Sequence, residues 1–357
     1  MKRLLFILLG LSVSVGLTAQ APEGYYDAAN GLTGEPLKIA LHEIIKGHTK
    51  ISYSQLWNAF WSTDNKGDGV VWDMYSDRPD GTPAYTYQMV TDQCGNYSGE
   101  GDCYNREHSW PQSWFNNDSI ARTDLHHIFP VDGFVNNKRS NHPFGEVRSA
   151  SWTSTNGSKL GSCKTPGYTG TVFEPIDEYK GDLARAIMYM SVRYYGEDAN
   201  WKITDMTNKA EIAPWAIALL LRWHQNDPVS QKEIDRNNVI YDDYQYNRNP
   251  FIDNPNYAFM IWDPNWSDNC VDEGEDLQAF VYPNPVEQGS ELHFQKMSRK
   301  LDKVVICDLS GRAILQMRAT NDMDFSLQLP NDLQQGFYVL QLQQEGRPVG
   351  HLRLLVK

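Results

Sequence analysis

Apolar residues recur at the three-and-four spacing of amphipathic helices in several stretches of the chain. Leu37, Leu41, Ile44 and Ile45 make one such face, opened by Thr33 as cap with Pro36 in the first turn and closed by Gly47. Ser54 caps a second, carrying Leu56, Trp57, Phe60 and Trp61. A third follows Lys180-Gly181-Asp182, with Leu183, Ile187, Met190 and Tyr194 on one side and Arg185 on another, as a solvated group. Pro214 opens a fourth, burying Trp215, Leu219 and Trp223, with His224 at its end, where a protonated imidazole suits the helix dipole. His42 and His48 read as surface groups.

Other stretches are extended. Residues 70–75 are strand-like, 77–81 form a turn, and 85–90 are the hairpin partner. Residues 104–114 run extended until Pro111, and residues 124–129 read as a second strand stopped by Pro130. Asp132 then caps a short helix running through Val135 and Arg139. On that helix Asn136, Arg139 and Ser140 share a face, and Asn137 points about 100° away. Residues 149–170, rich in Ser, Thr and Gly, read as a long surface loop, and Asn247-Arg248-Asn249-Pro250 as a sharply turned polar one. After the acidic run Asp272-Glu273-Gly274-Glu275-Asp276 the pattern changes to short strands near 281–285, 304–306, 336–340 and 352–356, as in a small β-sandwich. The fold class is therefore α+β: a mixed helical domain followed by a small all-β domain.

The chain has 357 residues, 12% of them aromatic, which suits packed domains rather than disorder. Lys2-Arg3, the apolar run from Leu4 and the small residues up to Ala19 make a secretory signal. The expected division is a signal peptide at 1–19, a first domain at 21–270, an acidic linker at 271–279 and a last domain at 280–357. No later stretch is apolar for long enough to span a bilayer. Export permits disulfides. Cys94 and Cys103 flank a polar loop and could bridge it, Cys163 could pair with Cys270, and Cys307 reads as a core residue of the last domain.

Candidate chemistry sits in residues 104–114. Glu107 offers a hard oxygen ligand and His108 a base that titrates near neutrality, although neighbours on a strand point to opposite sides. The strand, loop, strand and helix from residue 104 to 139 can set Glu107, His108 and Asn136 around one point. With Arg106-Glu107-His108, Asp124-Leu125-His126, Val135-Asn136 and Arg139-Ser140-Asn141 in order, the chain resembles the endonuclease I family of secreted and periplasmic nucleases, within the ββα-metal group. Trp72-Asp73-Met74-Tyr75-Ser76, Lys180 to Arg185 and Asn247 to Phe251 extend the resemblance over roughly residues 25–270. The chain departs from the family in having Asn137 where a small residue often follows the first Asn.

The resemblance implies a secreted endonuclease that hydrolyses phosphodiester bonds of DNA, RNA or both with little sequence specificity. It places one divalent ion, Mg²⁺ or else Ca²⁺ or Mn²⁺, on Glu107 and Asn136, with His108 as general base. Arg139 is the candidate for steadying phosphate, and Asp124 and His126 for bracing the site. Tyr282-Pro283-Asn284-Pro285, Gly311-Arg312, Gly336-Phe337-Tyr338 and Lys357 resemble the C-terminal sorting domain of the type IX route, implying the outer-membrane secretion machinery as a partner and a secreted or cell-surface location. The net charge of −13 is unusual for a protein that binds nucleic acid. Basic residues must then act locally, and Arg106, Arg122, Lys138, Arg139 and Arg148 lie in or beside the central stretches. Two rivals remain: a zinc-dependent hydrolase using His108, His126 and His127, without a His-Glu-x-x-His run, and a non-catalytic secreted binding protein.

Overall fold

The first apolar face is helix α1 (Gly34–Ile45), which buries Leu37, Leu41 and Ile45, and the second is α2 (Gln55–Thr63), which buries Leu56, Ala59 and Phe60. The computed structural model describes residues 21–263, 280–295, 300–307, 313–319, 325–344 and 347–357. The expected signal and acidic linker, residues 1–19 and 271–279, lie outside them, as does Cys270. The chain divides into two units, residues 1–264 and 265–357.

In the first unit, residues 70–75 and 85–90 do run antiparallel, but through an isolated bridge, Val70 with Gln88, rather than as strands. Asp73 turns the chain by accepting the Tyr75 amide, and Val90 takes a positive φ of 72° at the other end. Next come β1 (Tyr104–His108), β2 (Ile128–Asp132) and α3 (Gly133–Arg139). The two strands pair antiparallel with Glu107 opposite Phe129 and His108 opposite Ile128.

The second strand thus begins later than its sequence suggested. Leu125–His127 is a 3₁₀ turn capped by Asp124, and Pro130 lies inside the strand, opposite Arg106. A proline is tolerated there because β2 pairs on one side only and its outer edge needs no N–H.

Residues 149–170 are not a loop. β3 (Val147–Thr153), β4 (Lys159–Cys163) and β5 (Thr171–Glu174) form a sheet in that order. Five of the seven residues of β3 are exposed, so it carries no alternating apolar signal. Gly161 permits the close pairing, since a Cβ there would fall 2.1 Å from the Ser149 carbonyl oxygen.

Helix α4 (Lys180–Arg193) crosses the centre of the unit, buried at every position from Gly181 onward. It has no solvent face, so Arg185 is not a surface group: its guanidinium clasps Glu233 and reaches Asp182. The short β6 (Thr207–Asn208) and β7 (Glu211–Ile212) precede α5 (Pro214–Asn226), α6 (Gln231–Val239), a π-helical segment (Ile240–Gln245), α7 (Pro250–Asp253) and α8 (Asn256–Trp262).

Three histidine expectations fail for one reason, burial. His42 donates through Nδ1 to the Val192 and Arg193 carbonyls, and the His48 side chain is enclosed beside Asp124. Burial, and then Arg185, hold His224 down at about 4, so it is neutral at pH 7. It donates to the Pro255 carbonyl and presents Nδ1 to Arg185.

The second unit contains β8 (Phe280–Tyr282), β9 (Glu291–Gln295), β10 (Lys303–Cys307), β11 (Ala313–Arg318), β12 (Phe325–Gln328), β13 (Gly336–Gln344) and β14 (Arg347–Val356). They form two sheets, ordered β11-β10-β13-β14 and β12-β9-β8. Leu292, Phe294, Val304, Ile306, Leu340, Leu342 and Leu354 fill the core, with Cys307 buried in β10.

Candidate active site

Asp132 joins the pieces. Its Oδ1 caps α3 by accepting the Val135 amide at 2.8 Å, and its Oδ2 accepts Tyr85 Oη, Tyr87 Oη and the Gly101 amide. Its own amide donates to Asp73. The loop closed by the Cys94–Cys103 disulfide lays Tyr97 against the first residue of α3. That residue is Gly133, where a Cβ would lie 2.7 Å from the Tyr97 ring.

Beside this knot opens a cleft of ≈ 410 Å³ lined by Arg106, Glu107, His108, Pro111, Gln112, Ser113, Asn136, Arg139, Ser140 and Asn141. Strand β1 ends at His108 and the chain turns toward Pro111, so the adjacent Glu107 and His108 both reach one cavity.

Glu107 is buried. Tyr75 Oη donates to its Oε1 at 2.9 Å, and Arg139 Nη1 lies 3.0 Å from the same oxygen. No donor among the described residues reaches Oε2. Burial pushes the carboxyl up to about 6, against the pull of Arg139 and Tyr75. Arg139 itself is enclosed, donating to the His108 and Ser109 carbonyls and lying over the Phe144 ring. Its guanidinium forms the wall behind Glu107.

His108 Nε2 donates to the Arg122 carbonyl at 3.1 Å. A carbonyl can only accept, so the proton sits on Nε2 and Nδ1 keeps its lone pair. Burial, with His127 and two arginines nearby, holds His108 well below the usual imidazole range, so it is neutral. Gln112 Nε2 donates to Nδ1 at 3.2 Å, while Gln112 Oε1 accepts from Arg122 Nε at 3.1 Å.

Asn136 is half-buried in the cleft wall and donates through Nδ2 to Asn105 Oδ1 at 2.7 Å, which leaves its own Oδ1 for another partner. Asn137 is exposed and outside the cleft, and Asn141 lines it beyond the end of α3.

A carboxylate oxygen and a carboxamide oxygen on one wall are the hard donors that Mg²⁺ or Ca²⁺ takes, and two protein ligands leave room for waters and phosphate. The donor set fits such an ion. Among the described residues no group of three or more His, Cys, Asp or Glu is arranged to hold a metal. The histidine set needed by a zinc hydrolase does not converge: His108, His126 and His127 turn Nε2 to three different carbonyls, those of Arg122, Asn247 and Ala121. Asp124 is wholly buried and accepts Tyr189, Tyr194 and Gln245, bracing the turn before β2.

Sequence reasoning missed Tyr75, Gln112 and Tyr53. Tyr75 and Gln112 lie inside the stretches it singled out, but their contacts depend on the fold. Of the five basic residues it named, Arg106, which lines the cleft, and Arg122 both lie against the Tyr53 ring. Lys138 lies over Phe134 and Trp152, and Arg148 is exposed on β3.

Residues 33–256 match the Endonuclease I family, and residues 280–357 match the secretion system C-terminal sorting domain. An extracellular ribonuclease of Bacillus amyloliquefaciens is 42% identical over 248 residues, covering 67% of this chain and 78% of the relative. One from Bacillus subtilis (strain 168) is 38% identical over 250 residues, with the same coverage. Endonuclease-1 of Buchnera aphidicola subsp. Baizongia pistaciae (strain Bp) is 30% identical over 131 residues, covering 36% of this chain and 46% of the relative. The sorting domain and the extracellular relatives mark a secreted or cell-surface protein. The chain thus belongs to the endonuclease I family and is a secreted nuclease.

Proposed function

We propose that the cleft hydrolyses phosphodiester bonds of RNA and DNA with little sequence preference, using His108 as general base and one divalent ion held by Glu107 and Asn136. The observation that carries this is that a neutral His108, with Nδ1 turned to Gln112, lines the same cleft as Glu107 and Asn136. The family is generally dependent on a divalent metal, and Mg²⁺ suits two oxygen ligands with water completing the shell. When bound, the ion supplies Lewis-acid stabilisation of charge on the phosphate and on the leaving oxygen.

The chain's own residues do the rest. The Gln112 amide that donates to Nδ1 marks where a water O–H would sit. His108 Nδ1 takes the proton as the water oxygen bonds to phosphorus and the bond from phosphorus to the 3′ oxygen breaks. The Arg122 carbonyl, holding Nε2–H, stabilises the imidazolium that results. Once water takes the place of the Gln112 amide on Nδ1, Arg122, whose Nε donates to Gln112 and whose carbonyl holds the other ring nitrogen of His108, meets the scissile phosphate. Arg139 acts at one remove, by holding Glu107.

RNA is included because two relatives are extracellular ribonucleases. DNA is included because contacts to phosphate carry no base information. The catalytic domain spans residues 21–270, and the last domain, 280–357, serves export through the outer membrane. The test is digestion of matched RNA and DNA by the full chain with and without EDTA, alongside His108→Ala. Cleavage that persists in EDTA, or in the variant, overturns the reading.

A further inference from the structure

Every buried arginine of the α4 and α6 region faces a carboxylate: Arg185 meets Glu233, Arg193 meets Glu197 and Arg236 meets Asp64. Arg248 and Arg139 do the same with Asp253 and Glu107. In a chain of net charge −13 such partners are plentiful. Arg106 and Arg122 are the departure. Both are half-buried, and among the described residues no carboxylate pairs with either. Arg106 donates from its guanidinium to the Tyr53 carbonyl, and Arg122 to the Gln112 side chain, both neutral acceptors.

What holds them is an aromatic ladder. The Arg106 guanidinium carbon lies 3.6 Å from the Tyr53 ring centroid and 4.4 Å from that of Trp57, and the Arg122 carbon lies 4.1 Å from Tyr53. The same tyrosine is stacked at 6.2 Å and 22° against His108. Stacking on a ring face stabilises a guanidinium without consuming the N–H donors at its edge. Two like charges, each partly desolvated and neither neutralised, cost free energy unless an anion completes them.

We infer that Tyr53 is a positioning residue that holds Arg122 and Arg106 as a two-step phosphate track, Arg122 beside the base and Arg106 on the phosphodiester flanking the bond to be cut. The ligand is the backbone of a nucleic acid strand, read by charge and spacing and not by base. This rests on the nuclease reading and adds to it the residues that grip the neighbouring nucleotide. The ladder also accounts for how an acidic protein holds a polyanion: the positive charge is confined to one wall and left unpaired.

The experiment is fluorescence anisotropy of a labelled single-stranded RNA oligonucleotide with the full chain in EDTA, where binding is read without cleavage, over a range of NaCl concentrations. Each phosphate contact contributes about 0.7 to the slope of log affinity against log salt for a single strand. Arg106→Gln should lower the slope by about that amount, and Tyr53→Leu by about twice it. Tyr53→Phe, which keeps the ring, should leave the slope as in the parent. An unchanged slope in Arg106→Gln, or in a folded Tyr53→Leu, overturns the track. If Tyr53→Leu does not fold, Arg106→Gln and Arg122→Gln decide it. A parent chain that binds no RNA and cuts none sinks the nuclease reading itself, whereas a parent that binds with slopes unmoved by the variants sinks only the track.

Discussion

Glu233 and Glu107 are both buried carboxylates of the first unit that face buried arginines, and they are completed differently. Glu233 has both oxygens taken: Arg185 reaches Oε1 through Nε and Oε2 through Nη2, and Ser230 adds its amide and hydroxyl to Oε2. Glu107 receives Tyr75 and Arg139 on Oε1 alone, and its side chain lines an open cleft. Burial pushes both carboxyls up. The core pair answers that cost from within the fold, by closing a capping box and tying α4 to α6. The cleft pair leaves part of the answer to something that arrives. Function is carried by the interaction that the fold declines to make.

The comparison breaks most visibly through His108, the proposed base beside Glu107. His108→Ala should lower turnover by about 10²–10⁴-fold with the thermal midpoint little changed, and near-normal turnover in steady-state assays would move the base elsewhere. The core pair should answer in stability instead. Arg185→Met leaves Glu233 without its cation, while Lys232 still faces Asp182, and should cost about 3–5 kcal/mol in urea unfolding, while the folded fraction turns over normally. Loss of turnover without loss of stability would erase the distinction.

His224 sharpens the same contrast through pH. Its folded value, about 4, lies below its ordinary 6.5. Its contribution is therefore full above pH 6.5 and is lost as pH falls toward 4, roughly 3 kcal/mol in all. Unfolding curves of the parent chain should lose about that much more than His224→Gln between pH 7 and pH 4; parallel curves would count against a neutral His224 on Arg185. The smallest effect belongs to the cleft helix. Asn136→Ala should raise the divalent-ion concentration for half-maximal cleavage by roughly tenfold or more, with rescue at high metal, and Asn137→Ala should leave it unchanged. The reverse ranking in a metal titration would reassign the ligand.

Much of the cleft was legible because it is local. Asp132 announces the start of α3 by residue type and spacing, and the phase of a single helical turn separates Asn136 from exposed Asn137. What was misread is non-local. Arg185 looks like a surface residue until Glu233, 48 positions away, is seen to meet it. Residues 149–170 look like a loop because an exposed sheet of Ser and Thr buries too little to show alternation. Pro130 looks like a strand end because sequence does not say which edge of a strand is unpaired. Tyr53 gave no signal, since the two arginines against its ring come from β1 and from residues 121–123, far from it in sequence.

The parts joined around Asp132 have a consequence for the cell that makes this enzyme. Asp73, Tyr85, Gly101 and Asp132 are fastened to one another across up to 59 positions of chain, and Tyr75 and Arg139 each reach Glu107 across 32 positions. No short segment contains the proposed cutting centre. A chain still emerging from the ribosome, or held extended for export, has neither Tyr75 nor Arg139 against Glu107. Under the proposed mechanism cutting requires the closed tertiary fold, so export ahead of folding would spare the producer's own nucleic acids.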